Sequence, residues 1–254
     1  MIIETQAMDA FGFEDQPGGG SVTVVDPYDG CQLHCPYCFQ LNDADWNRDI
    51  YVKVNLPEVL QEQAANRPAS DPLYVGSRCD PYMPLEGTYR LTQKCLEVMG
   101  AGPFPVFITT KADNGLVLRD LELLRRLGSR LTVLMGLAHV AQAGKGPDNR
   151  NIQVANALLD GGITVWAFIT PILPYIMDVD AMIQALDPAI PVYLDKLRVF
   201  SQGRQDERTE DDIRRAYPQL LGQYRKIIYE GDEEYYQELM RKYRDSPRVT
   251  FVFE

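Results

Sequence analysis

The sequence predicts an α/β fold: a partial (β/α)6 barrel of parallel strands with extra C-terminal helices and a final strand. Two observations carry this. Six short apolar segments alternate with stretches whose apolar residues recur at helical spacing, which is the pattern of parallel β-α units. The chain has 254 residues, 45% of them hydrophobic, enough for a single core of that size but with too few units to close a full barrel. Residues 1–20 read as a loose N-terminal extension ending in Pro17-Gly18-Gly19-Gly20. Strand one follows as Ser21–Tyr28, with Val22, Val24 and Val25 apolar, and a cysteine-bearing loop leaves it directly. A helix is expected over Leu56–Asn66 and strand two over Leu73–Ser77. The next helix spans Tyr89–Met99, with Leu91, Cys95, Leu96 and Met99 on one face, and strand three spans Pro105–Thr110. Leu116–Leu127 is helical and Leu131–Leu137 is strand four. A helix over Asn149–Leu159 stops at Gly161-Gly162, before strand five at Ile163–Thr170. A short helix over Val179–Leu186 leads to strand six, Val192–Phe200. The organisation is therefore an extension at 1–20, a barrel at 21–200, and C-terminal helices with a terminal strand at 201–254, rich in charge and tyrosine and packed on the barrel.

The net charge is −11. That opposes nonspecific binding to nucleic acid, which depends on Lys and Arg neutralising phosphates. Pairs such as Arg125-Arg126, Arg214-Arg215 and Arg241-Lys242 are diluted by acidic neighbours on solvated helix faces. The first twenty residues lack the apolar core of a secretory signal, and no window approaches the length of a spanning helix. Five cysteines, three of them clustered, do not form a secreted disulfide framework, so the expected compartment is a reducing cytoplasm with no membrane partner.

The cluster is the strongest functional signal. Cys31, Cys35 and Cys38 stand as C-x3-C-x2-C in Gly30-Cys31-Gln32-Leu33-His34-Cys35-Pro36-Tyr37-Cys38-Phe39. Three thiolates packed this tightly suit an iron–sulfur cube, whose irons favour sulfur ligands. No fourth cysteine is near, so one iron would keep an open position, as catalytic metal sites do. A zinc site would want a fourth Cys or His, with His34 as its only neighbouring candidate, and a disulfide would leave the third cysteine over.

This spacing resembles the radical S-adenosylmethionine superfamily, and within it the spore-photoproduct-lyase-like group. Two further pieces carry the resemblance: Tyr74-Val75-Gly76-Ser77-Arg78-Cys79-Asp80-Pro81-Tyr82-Met83-Pro84-Leu85-Glu86, and Ile108-Thr109-Thr110-Lys111 followed by Leu118-Arg119-Asp120. It covers most of residues 21–200. The resemblance implies a 4Fe-4S cluster on the three cysteines, with S-adenosylmethionine chelated by the open iron. Reductive cleavage then gives a 5′-deoxyadenosyl radical that abstracts hydrogen. It also implies an electron donor such as flavodoxin or ferredoxin.

By position, the resemblance gives Lys111 to the cofactor carboxylate and makes the segment from Ser77 to Glu86 the floor for the cofactor amine and the substrate. Asp80 and Glu86 are candidate acceptors there, with helix capping as their alternative. Cys79 is either a small packed side chain or a thiol poised to donate a hydrogen atom. The lyases of the group carry such a thiol two positions earlier, where this chain has Ser77, a departure that speaks against lyase chemistry. Phe168-Ile169-Thr170 would present backbone to the adenine, flanked by Tyr37 and Phe39, unless these are core aromatics. Gly136 offers only backbone where relatives place a polar side chain for the ribose.

His139, after strand four, is a proton-transfer candidate or else a surface residue. Tyr28, Tyr82 and Tyr175 are candidate pocket residues near strand ends. Of the charges on strand six, Asp195, Lys196 and Arg198, at least one is expected to face the interior and bind a polar substrate. Arg150 is a second candidate for a carboxylate, or a surface charge. Two functional classes stand: a radical enzyme acting on a small polar metabolite or peptide, with photoproduct repair as the nucleic-acid alternative, and a non-catalytic iron–sulfur electron-transfer protein.

Overall fold

The computed structural model describes residues 1–15, 20–42, 46–137, 150–198 and 203–253. The chain divides into two compact units. The first comprises Met1–Leu33, Asp45–Met135 and Val154–Val165, and the second His34–Ala44, Gly136–Gln153 and Trp166–Glu254.

The first unit carries β1 (Ile2–Thr5), β2 (Gly12–Asp15), β3 (Ser21–Val24), β4 (Tyr28–Asp29), β5 (Ile50–Lys53) and α1 (Leu56–Ala64). It continues with β6 (Leu73–Val75), α2 (Glu86–Tyr89), α3 (Leu91–Ala101), β7 (Val106–Thr110), α4 (Leu116–Arg119), α5 (Leu121–Leu127) and β8 (Leu131–Gly136). The second half of α6 (Arg150–Asp160) also belongs here. Strands β3, β6, β7 and β8 are parallel neighbours, with Thr23 opposite Leu73, Leu73 opposite Val106 and Val106 opposite Leu131. This register puts Leu73, Val106 and Leu131 in one fully buried row. The next row, Tyr74, Phe107 and Thr132, faces the other way and is only half-buried. Tyr74 and Phe107 stack there with centroids 4.9 Å apart.

The second unit carries β9 (Thr164–Ile172), α7 (Val179–Ala185), β10 (Val192–Lys196), α8 (Arg204–Ala216), α9 (Leu221–Arg225), α10 (Glu234–Tyr243) and β11 (Val249–Phe251). β10 is parallel to both β9 and β11. Asp178 caps α7, accepting from the Ala181 N–H at 2.9 Å. Arg248 donates to the carbonyls of Ile183, Leu186, Asp187 and Ile190, which ties the strand β11 to the end of α7.

The fold class is therefore the predicted one: α/β, with β3, β6, β7, β8, β9 and β10 as the six β-α strands and helices plus a final strand after them. Among the described residues, no helix is long and apolar enough to cross a membrane.

Several elements depart from the sequence expectation. The segment read as a loose extension contains β1, parallel to β5, and β2, antiparallel to β3. Strand one stops at Val24, because Asp26 turns to bind the Gly76 N–H and Pro27 has no N–H to continue a ladder; Tyr28-Asp29 pairs instead with β5. The helix expected at 89–99 is α3, which starts at Leu91 and follows a separate short helix, α2. Arg90 adopts a left-handed conformation (φ 53°), and Glu86 reaches past it to accept the N–H groups of Thr92 and Gln93, capping α3. The helix expected at 116–127 is likewise broken at Asp120. Among the described residues, the C-terminal region holds the helices α8, α9 and α10, with a π-helical turn at Lys226–Glu230.

Candidate active site

The cysteine loop leaves β4 at Gly30, whose φ is +97°. A Cβ there would lie 2.6 Å from the Asp49 carbonyl and 2.8 Å from that of Trp46, so only glycine fits this backbone. The Cys31 N–H donates to the Trp46 carbonyl at 3.3 Å, and the Gln32 side chain accepts the Leu85 N–H at 2.8 Å. Gly30→Ala is therefore expected to destabilise the protein by about 3 kcal/mol through clash and strain, readable as a lowered urea midpoint. An unchanged midpoint would mean that the turn is not fixed.

The rest of the loop lies in the second unit. Cys38 donates its N–H to the Cys35 carbonyl at 3.2 Å, and Leu41 to the Cys38 carbonyl at 3.1 Å, winding Phe39–Asn42 into a 3-10 turn. Helix α8 holds this stretch. Gln205 donates to the Tyr37 carbonyl at 2.9 Å, Thr209 to the Pro36 carbonyl at 3.2 Å, and the Asn42 side chain accepts the Gln205 N–H at 3.1 Å. Gln205 and Thr209 had no signal in the sequence, because they sit in a run of charged residues whose partner is far away along the chain.

Cys31, Cys35 and Cys38 are half-buried, and none of the five cysteines forms a disulfide. Among the described residues, no three His, Cys, Asp or Glu side chains are gathered as a ready-made metal cage. The fit to an iron–sulfur group therefore rests on donor chemistry: three soft thiols within eight residues of one loop, accessible and not cross-linked. His34 is exposed, with a left-handed backbone.

The floor segment after β6 is a packed network. Gly76, at φ +85°, turns it, and a Cβ there would meet the Thr109 carbonyl at 2.4 Å. Asp80 is buried, and its carboxylate accepts the Tyr82 N–H (2.9 Å), the Thr110 hydroxyl (2.8 Å) and the Lys111 N–H (2.5 Å). Burial pushes its pKa up, opposed by those same hydrogen bonds. The carboxylate thus orders the end of β7 that carries Lys111, which corrects the expectation that Asp80 is an amine acceptor. Glu86 takes the second of its two expected roles, the helix cap: it is 0% exposed, accepts the Thr92 and Gln93 N–H groups at the start of α3, and is engaged by Tyr28 and Arg119.

Cys79, 3% exposed, donates its thiol to the Tyr28 carbonyl at 3.0 Å. Burial above all raises its pKa well beyond the usual thiol value, so it stays protonated. The Ser77 hydroxyl donates to Glu14, a partner that the sequence did not suggest. Tyr82 is fully buried and lines no open surface, and Tyr28 is equally buried, its hydroxyl donating to Glu86 at 2.6 Å.

In the second unit Tyr37 is buried while Phe39 is 45% exposed. Phe168 and Ile169 lie inside β9, paired with Tyr193 and Leu194, and the Phe168 carbonyl also accepts the Leu137 N–H. Their backbone is committed to the sheet, because β9 runs on to Ile172 instead of ending at Thr170. The Phe168 ring stacks on Tyr193 at 4.7 Å. The Gly136 carbonyl accepts the Asn151 side chain at 3.0 Å. Asp195 pairs with Arg198 at 2.9 Å, and Lys196 pairs with Glu233, so the charges of β10 satisfy one another and α10 instead of awaiting a substrate. Tyr175 is exposed and packs edge-on against Tyr235, and Arg150 is exposed at the start of α6. His139 lies outside the described residues.

No protein-family model matches the chain. It is 30% identical over 189 residues to the uncharacterized protein MJ0683 of Methanocaldococcus jannaschii, covering 68% of this chain and 69% of that one. Its fold is similar to that of spore photoproduct lyase complexed with dinucleoside spore photoproduct, at a TM-score of 0.61 and 14% identity over 99% of this chain and 82% of that one. It is also similar to that of Streptococcus suis SuiB bound to S-adenosylmethionine, at 0.51 and 15%, over 92% of this chain and 51% of that one. The chain belongs to the family of MJ0683, and it shares the fold of these two solved structures.

Proposed function

We propose that this protein is a radical S-adenosylmethionine enzyme in which Cys31, Cys35 and Cys38 hold a 4Fe-4S cluster. The observation that carries the reading is the C-x3-C-x2-C loop, set between the first parallel strand and the rest of a chain with this fold. When bound, the cluster supplies the electron that splits S-adenosylmethionine into methionine and a 5′-deoxyadenosyl radical, which takes a hydrogen atom from the substrate.

The chain's own residues do the positioning. Gln32, Gln205 and Thr209 fix the loop that carries the thiols. Lys111, at the end of β7, places an ammonium for the cofactor carboxylate, and Asp80 orders that strand end by taking the Lys111 N–H. Cys79, within the floor segment, keeps an S–H that it donates to the Tyr28 carbonyl. Tyr37 and Phe39 flank the third thiol and supply aromatic surface. The substrate is a small polar metabolite or peptide, the electron donor is of the flavodoxin or ferredoxin type, and the setting is the cytoplasm.

The test is anaerobic. The chain is reconstituted with iron and sulfide, mixed with S-adenosylmethionine and dithionite, and assayed for 5′-deoxyadenosine by mass spectrometry beside Cys35→Ala. Formation in the wild type alone is the expected result. Bound iron and sulfide with no 5′-deoxyadenosine would replace this reading with an electron-transfer protein.

A further inference from the structure

A small polar pocket of about 160 Å³ opens in the first unit, lined by Asp9, Asp26, Asp29, Lys53 and Arg78 and walled by Gly12, Val24 and Tyr28. Its centre is Asp26, only 8% exposed. One carboxylate oxygen, Oδ1, accepts the Gly76 N–H at 3.0 Å. The other, Oδ2, is buried and has no hydrogen-bond partner. A buried carboxylate oxygen left without a donor is costly, and its persistence in a cavity points to a ligand that supplies one.

The surroundings define the donor. Three carboxylates line the pocket against two cations, so its field favours a positive guest. Lys53 is turned to the Asp26 carbonyl at 3.0 Å, and the Arg78 guanidinium lies 5.3 Å from the centre of the Trp46 ring, so both cations sit at the wall. A divalent metal would want several oxygen ligands, and among the described residues no such group is gathered. The volume holds a head group of a few heavy atoms.

We propose that this pocket binds the ammonium group of a small amine or amino acid, with an N–H donated to Asp26 Oδ2. Taken with the function proposed above, on which this step rests, the ammonium marks the substrate as an amine or amino acid.

The Gly76 amide is the reporter, because it is bound to the same carboxylate. The full-length, 15N-labelled chain is titrated with methylammonium chloride, and with tetramethylammonium chloride as a cation of equal charge that has no N–H. A saturable shift of Gly76 with methylammonium alone is expected. In Asp26→Asn, which keeps an oxygen for the Gly76 N–H, affinity should fall by about tenfold or more, the worth of a charged hydrogen bond. The other amides of that variant report that it remains folded. No saturable shift, an equal shift with tetramethylammonium, or undiminished affinity in Asp26→Asn would overturn the proposal and leave a water site. Formation of 5′-deoxyadenosine is read separately. A failed titration beside a positive cleavage assay sinks the pocket alone, and the reverse leaves an ammonium site while the enzyme reading and the substrate assignment fall together.

Discussion

Replacing Glu86 by alanine is expected to lower the unfolding free energy by about 4 kcal/mol, the range for stripping one partner from a buried ionic network. For a chain of this size, that is a fall in Tm of roughly 8–16 °C. Glu86 is 0% exposed. It accepts from the Tyr28 hydroxyl at 2.6 Å, the Thr92 N–H at 2.9 Å, the Gln93 N–H at 3.1 Å and the Arg119 guanidinium at 2.9 Å. Alanine would orphan two helix-capping amides and the buried Tyr28 phenol. Burial, and then the adjacent Glu86 carboxylate, push the Tyr28 phenol well above its usual pKa, so it cannot relieve the loss by ionising. Glu97→Ala, on the exposed side of α3, should cost less than about 0.5 kcal/mol. Urea unfolding of both variants checks this, and a loss under about 1 kcal/mol in Glu86→Ala would show that the network is not what joins α2, α3 and α4.

The contrast between Glu86 and the strands shows where sequence is informative. The six parallel strands were legible because one face is fully buried and the other half-covered, so they read as runs of apolar residues, as in Val106-Phe107-Ile108 and Val133-Leu134-Met135. The cysteine loop was legible because metal chemistry fixes spacing locally. β1 and β5 were not, since each is only four residues long and finds its partner across a long stretch of chain. The start of α3 at Leu91 was hidden for a related reason. Its cap comes from Glu86, six and seven residues before the amides it receives, well outside the usual capping position. Among candidate site residues, sequence could not tell a ligand contact from a structural bracket. Asp80 and Asp195 proved to have protein partners. Asp26, the carboxylate with an unused oxygen, belongs to no motif and lies within the expected strand Ser21–Tyr28.

Asp26 should also leave a signature in the pH dependence of stability. Its folded pKa is raised from 3.8 to about 6, chiefly by burial; the Gly76 N–H, Lys53 and Arg78 oppose this and Glu14 adds to it. Between those values the folded chain holds a proton that the unfolded chain has released. Stability from this group is therefore greatest below about pH 4 and is lost as pH rises toward about 6, to a total of about 3 kcal/mol. Asp26→Asn has no such titration and keeps an acceptor for Gly76. The stability difference between variant and wild type should move in favour of asparagine by about 3 kcal/mol from about pH 4 to about pH 7, measured by urea unfolding at several pH values. A flat difference would mean that the carboxylate is hydrated, and a movement in favour of aspartate would mean that a cation already pairs with it. The direction matters for function. A carboxylate that weakens the fold at neutral pH, when the isosteric amide would not, is hard to explain by packing. An ammonium guest would reverse the penalty by stabilising the ionised form, so the same residue that destabilises the empty protein would tighten the loaded one.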